Sequence, residues 1–131
     1  MAAIRDFREL RVYQAARAGA RRIFAMTSRF PADKRYSLTS QIRRASRSVC
    51  ANTAEAWRKR LCPAAFVSKL SDADGEATEV RAWLDAAIDC RYITQDEFAS
   101  LDSEYDHIGA QLRLMIDHPE KWCIRQDKRD A

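Results

Sequence analysis

Hydrophobic positions recur at three- and four-residue steps through four segments of this chain, which is the helical period. In the first, from about Asp6 to Ser28, the stripe is Phe7, Leu10, Tyr13, Ala16, Ala20, Ile23 and Thr27, and Pro31 stops it. The second opens at Ser37 as N-cap. It carries Leu38, Ile42, Ala45, Val49, Asn52 and Ala56 at 4-3-4-3-4 steps, a heptad seam reaching Arg60. Pro63 suits the first turn of the third helix, where Phe66, Leu70, Ala73, Ala77, Val80, Leu84 and Ala87 keep the rhythm. Gly75 interrupts that helix at about 1 kcal/mol relative to alanine, which predicts close approach of a neighbouring helix there. The fourth begins at the capping box Thr94 to Glu97 and runs through Phe98, Leu101, Tyr105, Ile108, Leu112 and Met115 to Pro119. The pattern predicts an all-α fold: an antiparallel up-down-up-down four-helix bundle over residues 1–118. Residues 119–131 have no period and are expected to fray as a C-terminal tail, with Trp122 packing back.

A length of 131 residues fits one domain. No apolar run approaches the roughly 20 residues a membrane span needs, and the N-terminus lacks the apolar core of a secretory signal. A cytoplasmic protein with no membrane partner is the expectation. The four cysteines, at 50, 62, 90 and 123, form no C-x-x-C pair, and they read as reduced, mostly packed thiols. The net charge of +4 conceals an asymmetry. Residues 1–60 hold 15 Lys and Arg against 4 Asp and Glu, or +11, while residues 61–131 hold 8 against 15, or −7. Such halves can attract each other, or the basic one can serve an anionic partner.

Two readings of the basic residues follow. Arg43, Arg44 and Arg47 lie off the second seam, and Asp72, Glu76 and Glu79 form a strip beside the third, so the strips can pair within or between subunits. Alternatively the planar forks of Arg43, Arg44 and Arg47, with Arg17, Arg21 and Arg22 on helix one and Arg58, Lys59 and Arg60 at the end of helix two, contact phosphate. Farther along the outward face of helix two, Cys50, Ala51, Ala54 and Trp57 are small or apolar. They predict an oligomer interface anchored by Trp57, with base stacking by Trp57 as a further option. Asn52 in the seam predicts a buried amide that fixes register, with Glu55 beside it as acceptor or as partner to an arginine. Glu104 to His107 spells E-x-x-H, but a di-iron bundle needs two such motifs facing inward, and His118 completes no second one. No phosphate loop, nucleophile motif or metal site emerges, and the expectation is a non-enzymatic protein without cofactor.

The stretches FRELRVYQAA, RFP and YSLTSQIRRASRSVCANTAEAWRKR, with Phe66, Leu70, Gly75, Glu76, Glu79 and RYI behind them, resemble the four helix bundle protein family. Its founding members are encoded in intervening sequences of bacterial 23S rRNA genes, and it is related to the accessory variability determinant of diversity-generating retroelements. The resemblance covers roughly Phe7 to Met115 and is most specific in QIRRA and the Asn52, Ala54, Glu55 positions. It departs where the family reads S-I-P-S-N and this chain has Ser48-Val49-Cys50-Ala51-Asn52, and where the family's glycine after glutamate is Ala56. Both departures favour a straighter second helix. The resemblance implies a ring-like homopentamer without enzymatic activity and, for the retroelement relatives, binding of nucleic acid and a partner protein. The reading is a homo-oligomeric bundle that offers a basic surface to RNA or DNA with little sequence specificity. The alternative is a structural or protein-interaction module whose basic residues are neutralised within the oligomer.

Overall fold

The structure, a computed structural model, describes residues 3–32 and 38–124. Four helices carry it: α1 (Arg11–Thr27), α2 (Ser40–Arg58), α3 (Pro63–Asp89) and α4 (Gln95–Asp117). A 3-10 turn, Phe7–Glu9, precedes α1 and another, Pro119–Lys121, follows α4. The first predicted helix is therefore broken at Leu10, whose ψ of 128° is extended. Ser37, the predicted N-cap of α2, lies outside the described residues.

Each helix packs on its two neighbours, α1 on α2 and α4, and α3 on α2 and α4. Cross-contacts give the directions. Arg44 reaches Glu76 and Glu79 while Glu55 reaches Lys69. Arg81 meets Asp102 and Asp106 while Asp74 meets Arg113. In both pairs the numbers run oppositely along the two helices, so α2 is antiparallel to α3 and α3 to α4. No described helix is long and apolar enough to cross a membrane.

The seam of α3 is the one the spacing predicts: Phe66, Leu70, Ala73, Ala77, Val80, Leu84 and Ala87 are all buried. Each large side chain among them contributes about 1.5–3 kcal/mol by leaving water. Capping is equally legible. Thr94 Oγ1 accepts from the Glu97 amide at 3.1 Å and Glu97 returns to the Thr94 amide at 2.9 Å. At the end of α3 the amides of Tyr92 and Arg91 donate to the carbonyls of Ala87 and Ile88, closing the last turn. That closure holds Arg91 at φ 61°, the left-handed region where glycine is least strained.

Other expectations are corrected. Helix α1 buries Val12, Gly19 and Met26, and Tyr13 and Ala20 sit at the margin. Gly19 permits close approach of α1 and α4. A Cβ there would stand 2.7 Å from the Tyr105 hydroxyl of α4. Gly75, where close approach was expected, has no neighbour within 4 Å of a built Cβ, and nothing in the structure explains it. In α2 the core position after Val49 is Thr53, not Asn52. A strict heptad drifts against the 3.6-residue turn, and here the step is four residues. The Thr53 hydroxyl donates to the Val49 carbonyl at 2.7 Å, so the residue packs like valine with its polar atom satisfied. Asn52 is half-buried and its amide donates to Ser48 Oγ and the Ser48 carbonyl within its own helix. Residues 119–124 do not fray. Trp122 and Cys123 pack against the core, and the Ile124 amide donates to the Arg60 carbonyl at 3.0 Å.

Candidate nucleic-acid interface

The nine basic residues named from the sequence do not share one face. On α1, Arg17, Arg21, Phe24 and Ser28 follow at 4-3-4 steps, one stripe along the helix. That stripe faces α2. Phe24 lies under the Arg43 guanidinium, 4.4 Å from the ring centroid, with Arg47 at 6.0 Å. Arg43 is held there by its Nε donating to Thr27 Oγ1 at 2.8 Å and by longer bonds to the Phe24 carbonyl and Ser28 Oγ. Arg17 is near enough to favour the Cys50 thiolate on α2. Arg17, Arg21, Arg43 and Arg47 thus line one ridge between α1 and α2. None has a carboxylate within ion-pair distance among the described residues.

Arg44 belongs to the other flank of α2. Its guanidinium pairs with Glu79 at 2.6 Å and Glu76 at 3.2 Å on α3, so the predicted strip pairing occurs within the chain at this residue. The hydrogen bond from Arg44 holds the Glu79 carboxyl below its ordinary range. Burial and the neighbouring Glu79 push Glu76 up, so Arg44 serves chiefly Glu79. Arg22 points toward α4 and donates to Ser100 Oγ at 2.8 Å. Arg58 and Lys59 are exposed where α2 ends, and Arg60 stacks on Trp57, its guanidinium 3.4 Å from the indole centroid. Partial burial lowers the Arg60 pKa.

The predicted interface residues are redistributed too. Trp57 is 9 % exposed and belongs to the chain's own core, not to an outward face. The four-residue step to Thr53 turns α2 so that Ala56 and Trp57 close the end of the bundle. Cys50 is half-buried, and burial pushes its thiol up. Its neighbour is the buried Tyr105, whose hydroxyl has no hydrogen-bond partner among the described residues. Ala54 is half-buried beside Phe7, Trp57, Arg58 and Ile124. Glu55 pairs with Lys69 of α3 at 2.9 Å and not with an arginine.

On the outward side of α2 lies a shallow depression of about 570 Å³ lined by Ser40, Arg43, Arg44, Arg47, Ser48 and Ala51. Guanidinium groups and hydroxyls are the donors a phosphate oxygen accepts from. Beside it, Phe24 remains 50 % exposed, although it is a large apolar side chain. Sequence spacing did not single out Phe24 because it falls off the α1 seam. The available signal was its place in the arginine stripe. Among the described residues no three His, Cys, Asp or Glu side chains gather to hold a metal, and Glu104 and His107 flank the seam at the surface.

The comparisons with known proteins agree with this bundle. No protein with a curated description matches the chain. The crystal structure of a protein with unknown function from the S23 ribosomal protein family of Bacteroides thetaiotaomicron VPI-5482 superimposes with a TM-score of 0.73. The two are 29 % identical, and the match covers 81 % of this chain and 95 % of that one. The model of the 23S rRNA-intervening sequence protein family matches residues 8–113, nearly all of the four helices described above, and the chain belongs to that family.

Proposed function

We propose that this protein is a non-enzymatic, homo-oligomeric bundle whose α1–α2 ridge binds the phosphate backbone of RNA or DNA with little sequence specificity. The observation that carries this reading is that Arg17, Arg21, Arg43 and Arg47 crowd one ridge with no carboxylate among the described residues to neutralise them. Guanidinium groups left unmatched at a surface raise the local positive potential and attract polyanions. Arg58 and Lys59 extend the positive surface at the end of α2. The family's association with 23S rRNA makes rRNA fragments the natural first ligand to test.

Fluorescence anisotropy of labelled RNA and DNA across a salt series tests the reading. Four phosphate contacts per protomer give a slope of log K against log salt of about −3.6 on duplex and about −2.8 on single strands. Binding that is absent at low salt, or that ignores salt, contradicts it. Self-association is measured separately, as mass by light scattering. The rival reading, an interaction module with internally neutralised charge, draws on one observation: Arg44 is already paired with Glu76 and Glu79 inside the chain.

A further inference from the structure

Phe24 is an anomaly on a basic ridge. Half of its surface is open to solvent, in a helix whose other large apolar residues turn inward. An exposed phenylalanine loses the transfer free energy that burial would give it. The structure gives it a different set of neighbours: the Arg43 guanidinium at 4.4 Å and Arg47 at 6.0 Å from the ring centre. Hydrogen bonds from Arg43 to Thr27 Oγ1 and Ser28 Oγ hold that guanidinium in place. The Arg43 guanidinium lies over one face of the ring while half of Phe24 stays open to solvent. This stacked pair is a platform in the ridge, with Arg21 one turn along α1 and Arg43 and Arg47 also lining the depression at Ser40 and Ser48.

We infer that this platform stacks an unpaired base, so that the ligand class of the α1–α2 ridge is single-stranded nucleic acid. The inference rests on the phosphate-binding reading above. Its occupant follows from charge complementarity plus the aromatic. Bases inside a duplex present only their edges, whereas a single strand presents π-faces that stack on aromatic and guanidinium planes in any sequence. A duplex engages the arginines but leaves Phe24 unused.

The test compares a labelled single strand of about 15 nucleotides with its own duplex, by anisotropy, for the full chain and three variants. Phe24→Leu keeps an apolar side chain of similar size and is expected to weaken single-strand binding about tenfold while duplex binding changes less than about twofold. Phe24→Trp is expected to retain single-strand affinity and to add indole fluorescence that the bound strand quenches. Arg47→Gln is expected to weaken both ligands and to reduce the single-strand salt slope by about 0.7. Circular dichroism confirms that each variant folds. If wild type binds both ligands, equal effects of Phe24→Leu on strand and duplex, or no effect on either, overturn the stacking role alone. If wild type binds neither, the phosphate-binding reading falls with it. A lower assembly mass for Phe24→Leu by light scattering overturns it differently, by assigning the ring to a contact between copies of the chain.

Discussion

The α3–α4 side of this bundle is built from acid-rich helices and the α1–α2 side from arginine-rich ones, and the two handle their guanidinium groups in opposite ways. Between α3 and α4, Arg81 engages Asp102 at 2.9 Å and Asp106 at 2.9 Å, and Arg113 engages Asp74 at 3.1 Å. Each guanidinium has its carboxylate, and the Asp102 hydrogen bond raises the Arg81 pKa further. Between α1 and α2 the guanidinium groups of Arg43 and Arg47 cover an exposed phenylalanine and lie beside hydroxyls and carbonyls. The first arrangement closes a surface; the second leaves charge available. Charge count favours this difference, and Arg44 of α2, paired with Glu76 and Glu79, shows that what decides it residue by residue is whether a carboxylate sits within reach of the guanidinium.

Reversing charge on the open side is the largest perturbation. Arg17, Arg21 and Arg47 replaced together by Glu are expected to reduce nucleic-acid affinity more than about 100-fold at low salt and to leave the melting temperature nearly unchanged, read by anisotropy and calorimetry. On the closed side Arg81→Ala is expected to do the reverse. It costs about 1 kcal/mol of stability, since the pair is partly solvated, and leaves affinity unaltered. Intermediate in size is Gly19→Ala, which drives a methyl group against Tyr105 and is expected to cost about 1–3 kcal/mol in urea unfolding.

Smaller effects sharpen the same contrast. Glu97 bonds the Thr94 amide and pairs with Arg29, which holds its folded pKa below the ordinary 4.5. A depressed carboxylate contributes stability that is present above the unfolded pKa and is lost as pH falls through the folded one. Stability is therefore expected to decline below about pH 4.5, and Glu97→Gln to flatten that decline, seen in melting temperature against pH. The least effect comes from Arg91, whose φ of 61° favours glycine. Arg91→Gly is expected to stabilise by about 0.5–1 kcal/mol.

Much of the fold was legible in the sequence because burial follows helical period. The α3 seam, the Thr94 capping box and the Pro63 start needed only spacing and local hydrogen-bond chemistry. Asn52 and Trp57 were misplaced for one physical reason: a rigid 4-3 alternation was carried past Val49, where the helix steps by four to Thr53. A one-residue shift of phase, about 100° around the helix, then moved an amide out of the core and an indole into it. Gly19 and Gly75 exchanged roles because tertiary approach, not the presence of glycine, decides where a missing Cβ is used. The candidate site was half legible. Arginine clustering on α1 and α2 can be counted, but the diversion of Arg44 to Glu79 and of Arg22 to Ser100 depends on packing between distant segments, whereas that of Arg60 to Trp57 is a local contact three residues back.

The central claim is that the α1–α2 arginines stay open in the native assembly and receive a polyanion there. Arginine-selective labelling with phenylglyoxal, read by peptide mass spectrometry with and without a single-stranded oligonucleotide, tests it most directly. The account predicts that Arg17, Arg21 and Arg47 react readily in the free protein and are protected by the oligonucleotide, while Arg81 and Arg113 react slowly in both. Arginines 17, 21 and 47 already unreactive in the free assembly, or reactive and indifferent to the oligonucleotide, would contradict it.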